Sequence, residues 1–503
     1  LNKVLLLILL TTGLSGYAQI EQTQRFESPI GGEFQSYSVA PLDTSGVLIY
    51  RRYSGPEGDQ LELVRLDTAF REVWKGYLPI ARDLLLLSVK IHLGKIYLFL
   101  RSASVKPNFT AIAINATTGG YIVHDIKNLI AFNPSEYVVT PYSLLIGGYF
   151  NYRPLLLHYS LQSKKSRVLP GFLDEPAEIN QIYQTNDGNV DVIVSARKSR
   201  RRSLWIRTFD KEGDLVKTVV LEPGENKSLI FGRAAKINND TLVIAGVYGR
   251  NAEYSRGIFV ADVNAYGEYV VHYYNFGDLK NFFHYMKPRR EQRIKERIER
   301  RKVKGKKIKF NYRVLVHQLV PYQDHFVMLG EAFLPRYVYR RSNSANFFPG
   351  YNSPYAYAPS SRYFTPYRND MVLDGFDYTH AVVLGIDKKG KLGWDNSFRL
   401  SDIRSFQLEQ FVRIVPQKDH IMLLYMNNNE IRTKEVRGSE VTDGNVPHTF
   451  QVAAGGGESK ALGLARLEYW YKHTLLIYGT QVVKKPADEN SQLVFFINKV
   501  EVK

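Results

Sequence analysis

An all-β, eight-bladed β-propeller is the fold class the sequence predicts, on three observations. The first is a two-part phrase repeated eight times between Val47 and Lys503. Its first halves read SGVLIYRR, GKIYLFLR, YSLLIGGY, GNVDVIVS, NDTLVIAG, DHFVMLGE, KDHIMLLY and KHTLLIYG. Each is followed by a second β-rich run, such as LELVRLDTAF or LWIRTFDKEG, that often ends in an Asp/Asn-centred turn. The second observation is spacing. With Val47, Ile96, Leu144, Val190, Leu242, Phe326, Ile421 and Leu475 as markers, the gaps are 49, 48, 46, 52, 84, 95 and 54 residues. Five of these gaps match a four-stranded blade. The third is a remainder: the last unit stops after its third strand, Leu493–Val502, and Ile20–Ser28 is left over near the other end.

Pairing those two segments would complete the eighth blade and leave no open sheet edge. Seven blades plus a stray hairpin is the runner-up. Within a blade the marker is strand b. Strand a lies upstream of it (Leu85–Ile91, Tyr137–Thr140, Glu178–Gln184, Phe411–Val415), strand c ends in the Asp/Asn turn, and strand d follows, as in Glu72–Leu78 or Leu215–Leu221. Alternating strand direction puts a–b and c–d turns at one end of the ring and b–c and d–a turns at the other.

Residues 1–18 read as a secretory signal: Lys3, then an apolar run from Val4 to Leu10, then small residues Gly16 and Ala18 before Gln19. That run is too short to span a bilayer. The ending Tyr-Ala-Gln resembles signal peptides of the Bacteroidota, which implies a periplasmic or extracellular protein, including the periphery of the outer membrane. Residues 19–503 then form a single propeller domain. With 44% hydrophobic residues it can bury a large core, and with no cysteine it does so without disulfides, thiolate chemistry or Cys-based zinc sites.

The formal charge of +18 concerns partners rather than fold. Two inserted segments account for the long gaps, and both fall at the b–c/d–a end. Residues 276–312 include Lys287–Lys309, with 13 Lys/Arg against 3 Glu. Pro288 suits a first helical turn and Gly305 a stop, Glu291–Lys295 and Glu296–Arg300 are spaced for ion pairs, and Ile294 and Ile298 form a thin apolar stripe. Such a helix either lies on the rim through those isoleucines or projects toward something anionic. Residues 335–370 are rich in Tyr and Pro. A long segment of that composition suits recognition, because Tyr offers contact area with little entropy to lose.

The b–c turns are rich in Arg and Lys (Arg51, Arg52, Arg101), whereas the opposite end is richer in carboxylates such as Asp67, Asp210 and Asp387. The expected partner face therefore comprises Arg197, Lys198, Arg200, Arg201 and Arg202, the helical Arg289, Arg290, Arg293, Arg297, Arg300 and Arg301, and Tyr351, Tyr355, Tyr357, Tyr363 and Tyr367. No catalytic, cofactor or metal site is expected, because the eleven histidines are scattered and neither HExxH nor a nucleophile elbow occurs. The stretch Asp387-Lys388-Lys389-Gly390-Lys391-Leu392-Gly393-Trp394 faintly resembles the Asp…Gly…Trp docking repeat of quinoprotein propellers, but only Asp67…Trp74 echoes it.

In overall plan the chain is similar to periplasmic propellers that act as scaffolds in outer-membrane assembly. That similarity implies a non-catalytic docking role, with an acidic envelope protein, lipid headgroups or an anionic glycan as partner. The leader argues against nucleic acid. The second reading is an envelope hydrolase or lyase acting on an anionic polysaccharide, for which Asp/Glu or His, Tyr and Arg would have to converge near the axis.

Overall fold

The computed structural model describes residues 20–31, 36–55, 58–103, 107–172, 175–198, 201–236, 241–251, 253–306, 308–339, 371–428, 430–442, 444–449, 458–484 and 491–503. Residues 1–18, read above as a secretory signal, lie outside them. Eight four-stranded sheets, each a blade, make up the fold. Blades 1 to 5 begin at Ser38, Leu84, Asn133, Ala177 and Ser228, and blades 6 to 8 at Arg313, Arg413 and Glu458.

Each marker lies in a strand b. Strands b and c read as unbroken apolar runs, not alternations, because blades pack against both of their faces. Ile96–Leu100 and Leu144–Ile146 are all buried. The outermost strands differ: Tyr121–Ile126 exposes Tyr121, Ile122 and Val123.

Closure occurs as the remainder implies. Ile20–Pro29 pairs antiparallel with Gln492–Val502, running from Ile20 opposite Val502 to Pro29 opposite Val494. The eighth blade is thus complete, and seven blades are excluded. Blades 8 and 1 then share a core of Trp470, Leu476, Phe495 and Ile497 with Val47 and Ile49.

The Asp/Asn turns share one geometry. Asp67, Asp210 and Asp387 each accept two backbone N–H groups, two and four residues on, through one carboxylate oxygen. Asn264 does the same through its amide oxygen. Gly213, Gly267 and Gly390 follow at positive φ, a backbone region that costs L-residues about 1–2 kcal/mol. Blade 1 places Phe70 there instead, at φ 57, and its ring stacks on Trp470 at 5.9 Å. Carboxylates at this end therefore serve the turns as well as the surface.

A second repeated device joins the blades. In six of the eight blades the residue five positions beyond the marker reaches toward the start of the next blade; Val247 of blade 5 and Met426 of blade 7 are apolar instead. Arg52 donates to Leu84 O at 3.2 Å, Arg101 to Phe132 O at 2.8 Å and Ser195 to Leu229 O at 2.9 Å. Tyr149 accepts from Ile179 N at 2.9 Å, and Glu331 from Phe411 N and Val412 N. Thr480 and Ser36 share a hydroxyl contact at the ring closure. Arg52 and Arg101 are therefore clasps at the ends of strands and not members of free basic loops.

Candidate anion-binding face

The residues between blades 5 and 6, a d–a connection, build the most distinctive structure outside the repeated strands. After strand d of blade 5 (Tyr269–Asn275) the chain makes a short turn, Phe276–Asp278. It buries Phe276, Phe282 and Phe283 at the seam, runs into helix α1 (Pro288–Val303), and returns through Phe310 and Tyr312 to blade 6. Phe276 and Phe282 lie 4.5 Å apart, and Phe283 meets Phe310 at 4.8 Å. Aromatic packing of this area and geometry is a strong anchor.

Polar contacts complete the mount. The Asp395 carboxylate, on strand d of blade 6, accepts the Lys280 and Asn281 N–H groups at 2.8 and 2.7 Å. Burial pushes that carboxyl upward, and the same two N–H groups pull it back. Asn281 donates to Asp395 O and to Ser439 O of the blade 7 turn. Ser397 donates to Asn281 O and accepts from Tyr285 N. The buried Lys434 of blade 7 donates to Asn396 Oδ1 and Ser397 O. The insertion is thus bonded to blades 6 and 7 as well as packed between 5 and 6.

Helix α1 lies on the rim. Ile298 is buried and Ile294 packs against the same core, so the thin apolar stripe is its seat. Pro288 opens it, and Gly305, at φ 63, follows its end. Glu291–Lys295 forms at 2.5 Å, with His284 on the same carboxylate at 3.3 Å. Lys302 approaches Glu299 and Asp278. The expected Glu296–Arg300 ion pair is replaced. Gln292 takes the Glu296 carboxylate, and Arg300 donates to the Glu296 backbone oxygen. Arg289, Arg290, Arg293, Arg297, Arg300 and Arg301 are all exposed, and among the described residues none makes an ion pair with a carboxylate.

The blade 4 group divides. Arg197 faces Arg202 and Lys198 faces Arg201 in a tight hairpin, and Arg197 and Arg201 are exposed. Arg202 is not available to a partner. Alternation turns it inward, where it is 5% exposed and paired with the buried Glu178 at 2.9 Å. Arg200, the Lys198 side chain and Tyr351, Tyr355, Tyr357, Tyr363 and Tyr367 lie outside the described residues. What is described is the base of that segment: strands b and c of blade 6 continue through Pro335 to Tyr339 and resume at Met371. Pro335–Tyr339 is therefore strand, and the insertion begins later than its proline suggested.

In blade 1, toward its b–c turn, Glu62 gathers Arg51 at 2.5 Å and Lys75 at 2.7 Å, with Tyr37 at 3.2 Å. Burial alone would raise its carboxyl, but Lys75 and Arg51 together outweigh that and hold it low. Near the axis, the inner strand of blade 3 carries Glu136. Burial raises its carboxyl against the opposing pull of Arg233 and Lys90, from the inner strands of blades 5 and 2. A polar cavity of about 250 Å³ opens at the opposite end, lined by Asp187, Asp191, Thr208, Lys217 and Lys236. Among the described residues no three His, Asp or Glu side chains are grouped to hold a metal ion, and no helix is long and apolar enough to cross a membrane.

The two Asp…Trp stretches also acquire a physical meaning. Trp74 donates to Ala116 O in the next blade's c–d turn at 2.8 Å, and Trp394 lies beside Gly438 in the corresponding turn of blade 7. The Trp74 indole tethers blade 1 to blade 2 by that bond, and the Trp394 ring sits against the turn of blade 7.

No family model matches the chain, and no curated protein does. Solved structures do. A europium-containing methanol dehydrogenase shares 9% identity over 96% of this chain and 93% of its own, with a TM-score of 0.44. The quinohemoprotein alcohol dehydrogenase ADHIIG of Pseudomonas putida shares 10% over 96% and 76%, at 0.43. The polysaccharide lyase Uly1 shares 9% over 85% and 91%, at 0.39. At these identities and TM-scores the likeness carries no conclusion about what this chain does.

Proposed function

We propose that this chain is an exported, non-catalytic scaffold that uses its basic b–c/d–a end to dock an acidic or anionic partner of the cell envelope. One observation carries the reading. The segment holding more than half of the net charge is mounted on buried aromatics and backbone hydrogen bonds, with its arginines left in solvent. Simple solubilisation needs no such mount. Replacing 287–309 by a short Gly/Ser linker should abolish salt-sensitive retention on an anionic matrix while leaving the ring folded, since screened charge contacts weaken steeply with salt. Unchanged retention would reject the segment as the docking element.

The second reading, a hydrolase or lyase acting on an anionic polysaccharide, is supported by Lys90, Glu136 and Arg233, which three blades contribute near the axis. Its test is turnover of uronic-acid polymers by the wild type and by Glu136→Gln. Absence of turnover by the wild type removes it.

A further inference from the structure

The arginines of α1 are not spread around the helix. At 100° per residue, all six, Arg289, Arg290, Arg293, Arg297, Arg300 and Arg301, fall within roughly 120° on one flank. Glu299 and both lysines, Lys295 and Lys302, lie on the other flank, Glu296 borders the arginine arc beside Arg289, where Gln292 takes its carboxylate, and Glu291 points toward the seat. Within the helix, carboxylates neutralise lysines only. Arg289, Arg293, Arg297 and Arg301 stand four residues apart, a like-charge spacing that destabilises a helix. A surface helix built for solubility would interleave its charges. This one sets arginine aside, the cation whose planar fork grips oxyanions with two parallel bonds.

We infer that this flank is a binding site for an extended acidic polysaccharide, one carrying carboxylate or sulfate groups at regular intervals along the chain. The inference rests on the docking reading above and narrows its partner. The row from Arg289 to Arg301 is about 18 Å long with a guanidinium about every 6 Å, a spacing suited to one anionic group per sugar or pair of sugars. A DNA duplex presents a charge about every 1.7 Å. Bilayer insertion requires large apolar side chains facing the lipid, and a protein interface centres on apolar or aromatic anchors. The flank has neither: the two isoleucines face the propeller.

The test uses the full chain and four probes: polygalacturonate, heparin, phosphatidylglycerol vesicles and a DNA duplex, each titrated at fixed physiological salt. The variants are R289K/R293K/R297K/R301K, which keeps charge and helix propensity but removes the forks, and K295Q/K302Q on the other flank. Polygalacturonate or heparin should bind tightest, and their order separates carboxylate from sulfate recognition. The arginine-to-lysine variant should lose about tenfold in affinity for that glycan, with unchanged helicity and melting temperature, while K295Q/K302Q stays close to wild type. Wild-type affinity in the four-lysine variant would overturn the inference and leave anionic docking intact. Tighter binding to vesicles or duplex would overturn the glycan as partner. Failure of all four probes to bind the wild type would sink both.

Discussion

The rings of Tyr285 and His380 stack at 3.6 Å and are 3° from parallel, joining the inserted segment to strand c of blade 6. His380 is fully buried, with Phe282 and Tyr312 edge-on to it, Nδ1 at 2.9 Å from Thr379 Oγ1, and no hydrogen-bond partner for Nε2 among the described residues. Burial lowers its pKa to about 3.

Acid should therefore loosen the mount. The folded protein excludes a proton that the unfolded chain accepts near pH 6.5, so the contribution of His380 is constant above that pH. Between about 6.5 and about 3 stability falls by about 1.4 kcal/mol per pH unit. His380→Phe keeps the stack and cannot titrate. Urea unfolding at pH 7 and pH 4.5 should show a smaller acid loss in the variant than in wild type, and equal losses would refute the assignment.

Glu331 is buried and takes two N–H groups at the start of blade 7, with His317 Nε2 at 3.0 Å. Glu331→Ala strands both donors and should cost about 2–4 kcal/mol. Glu331→Gln, which keeps an acceptor, should cost less. Denaturation midpoints rank the three proteins.

Arg201 and Arg202 are neighbours with opposite fates. Arg202→Ala leaves Glu178 buried without its ion-pair partner and should destabilise by about 3–5 kcal/mol. Arg201→Ala should change stability by no more than about 0.5 kcal/mol. Paired thermal melts decide, and equal melting temperatures would contradict the geometry.

Deleting residues 20–29 strips strand d from blade 8. The exposed edge at Gln492–Val502 should promote self-association, visible as a shift to higher mass in size-exclusion chromatography. Hydrogen exchange should rise first in blades 8 and 1. A monomer with wild-type protection would show the closure to be dispensable.

Strand positions were legible because packing on both faces writes each strand b as an apolar run, and because Asp and Asn mark the turns after strand c. The closure was legible by counting strands. Three features were not. Phe282, Phe283 and Tyr285 precede a run of basic residues, and only the blade 5–6 seam gives them a cavity to fill. The clasps are chemically unlike one another (Arg, Tyr, Ser, Glu, Thr), so only their shared register reveals them. Arg202 reads as one more basic residue until hairpin register turns it toward Glu178. The arginine flank was written in the spacing all along, but it acquires meaning only once Ile294 and Ile298 set which way the helix faces.

Gln22 and Asn498 bond across a separation of 476 residues. The strand that locks the circle is synthesised before every other strand of the ring, and its mate after all of them. Until that mate arrives every blade belongs to an open arc, so final assembly waits on the last strand of the ring, with the early strand held unpaired in the meantime. Whatever escorts this chain through synthesis has one exposed β-segment to shield throughout, and a joined ring marks the moment at which shielding can end.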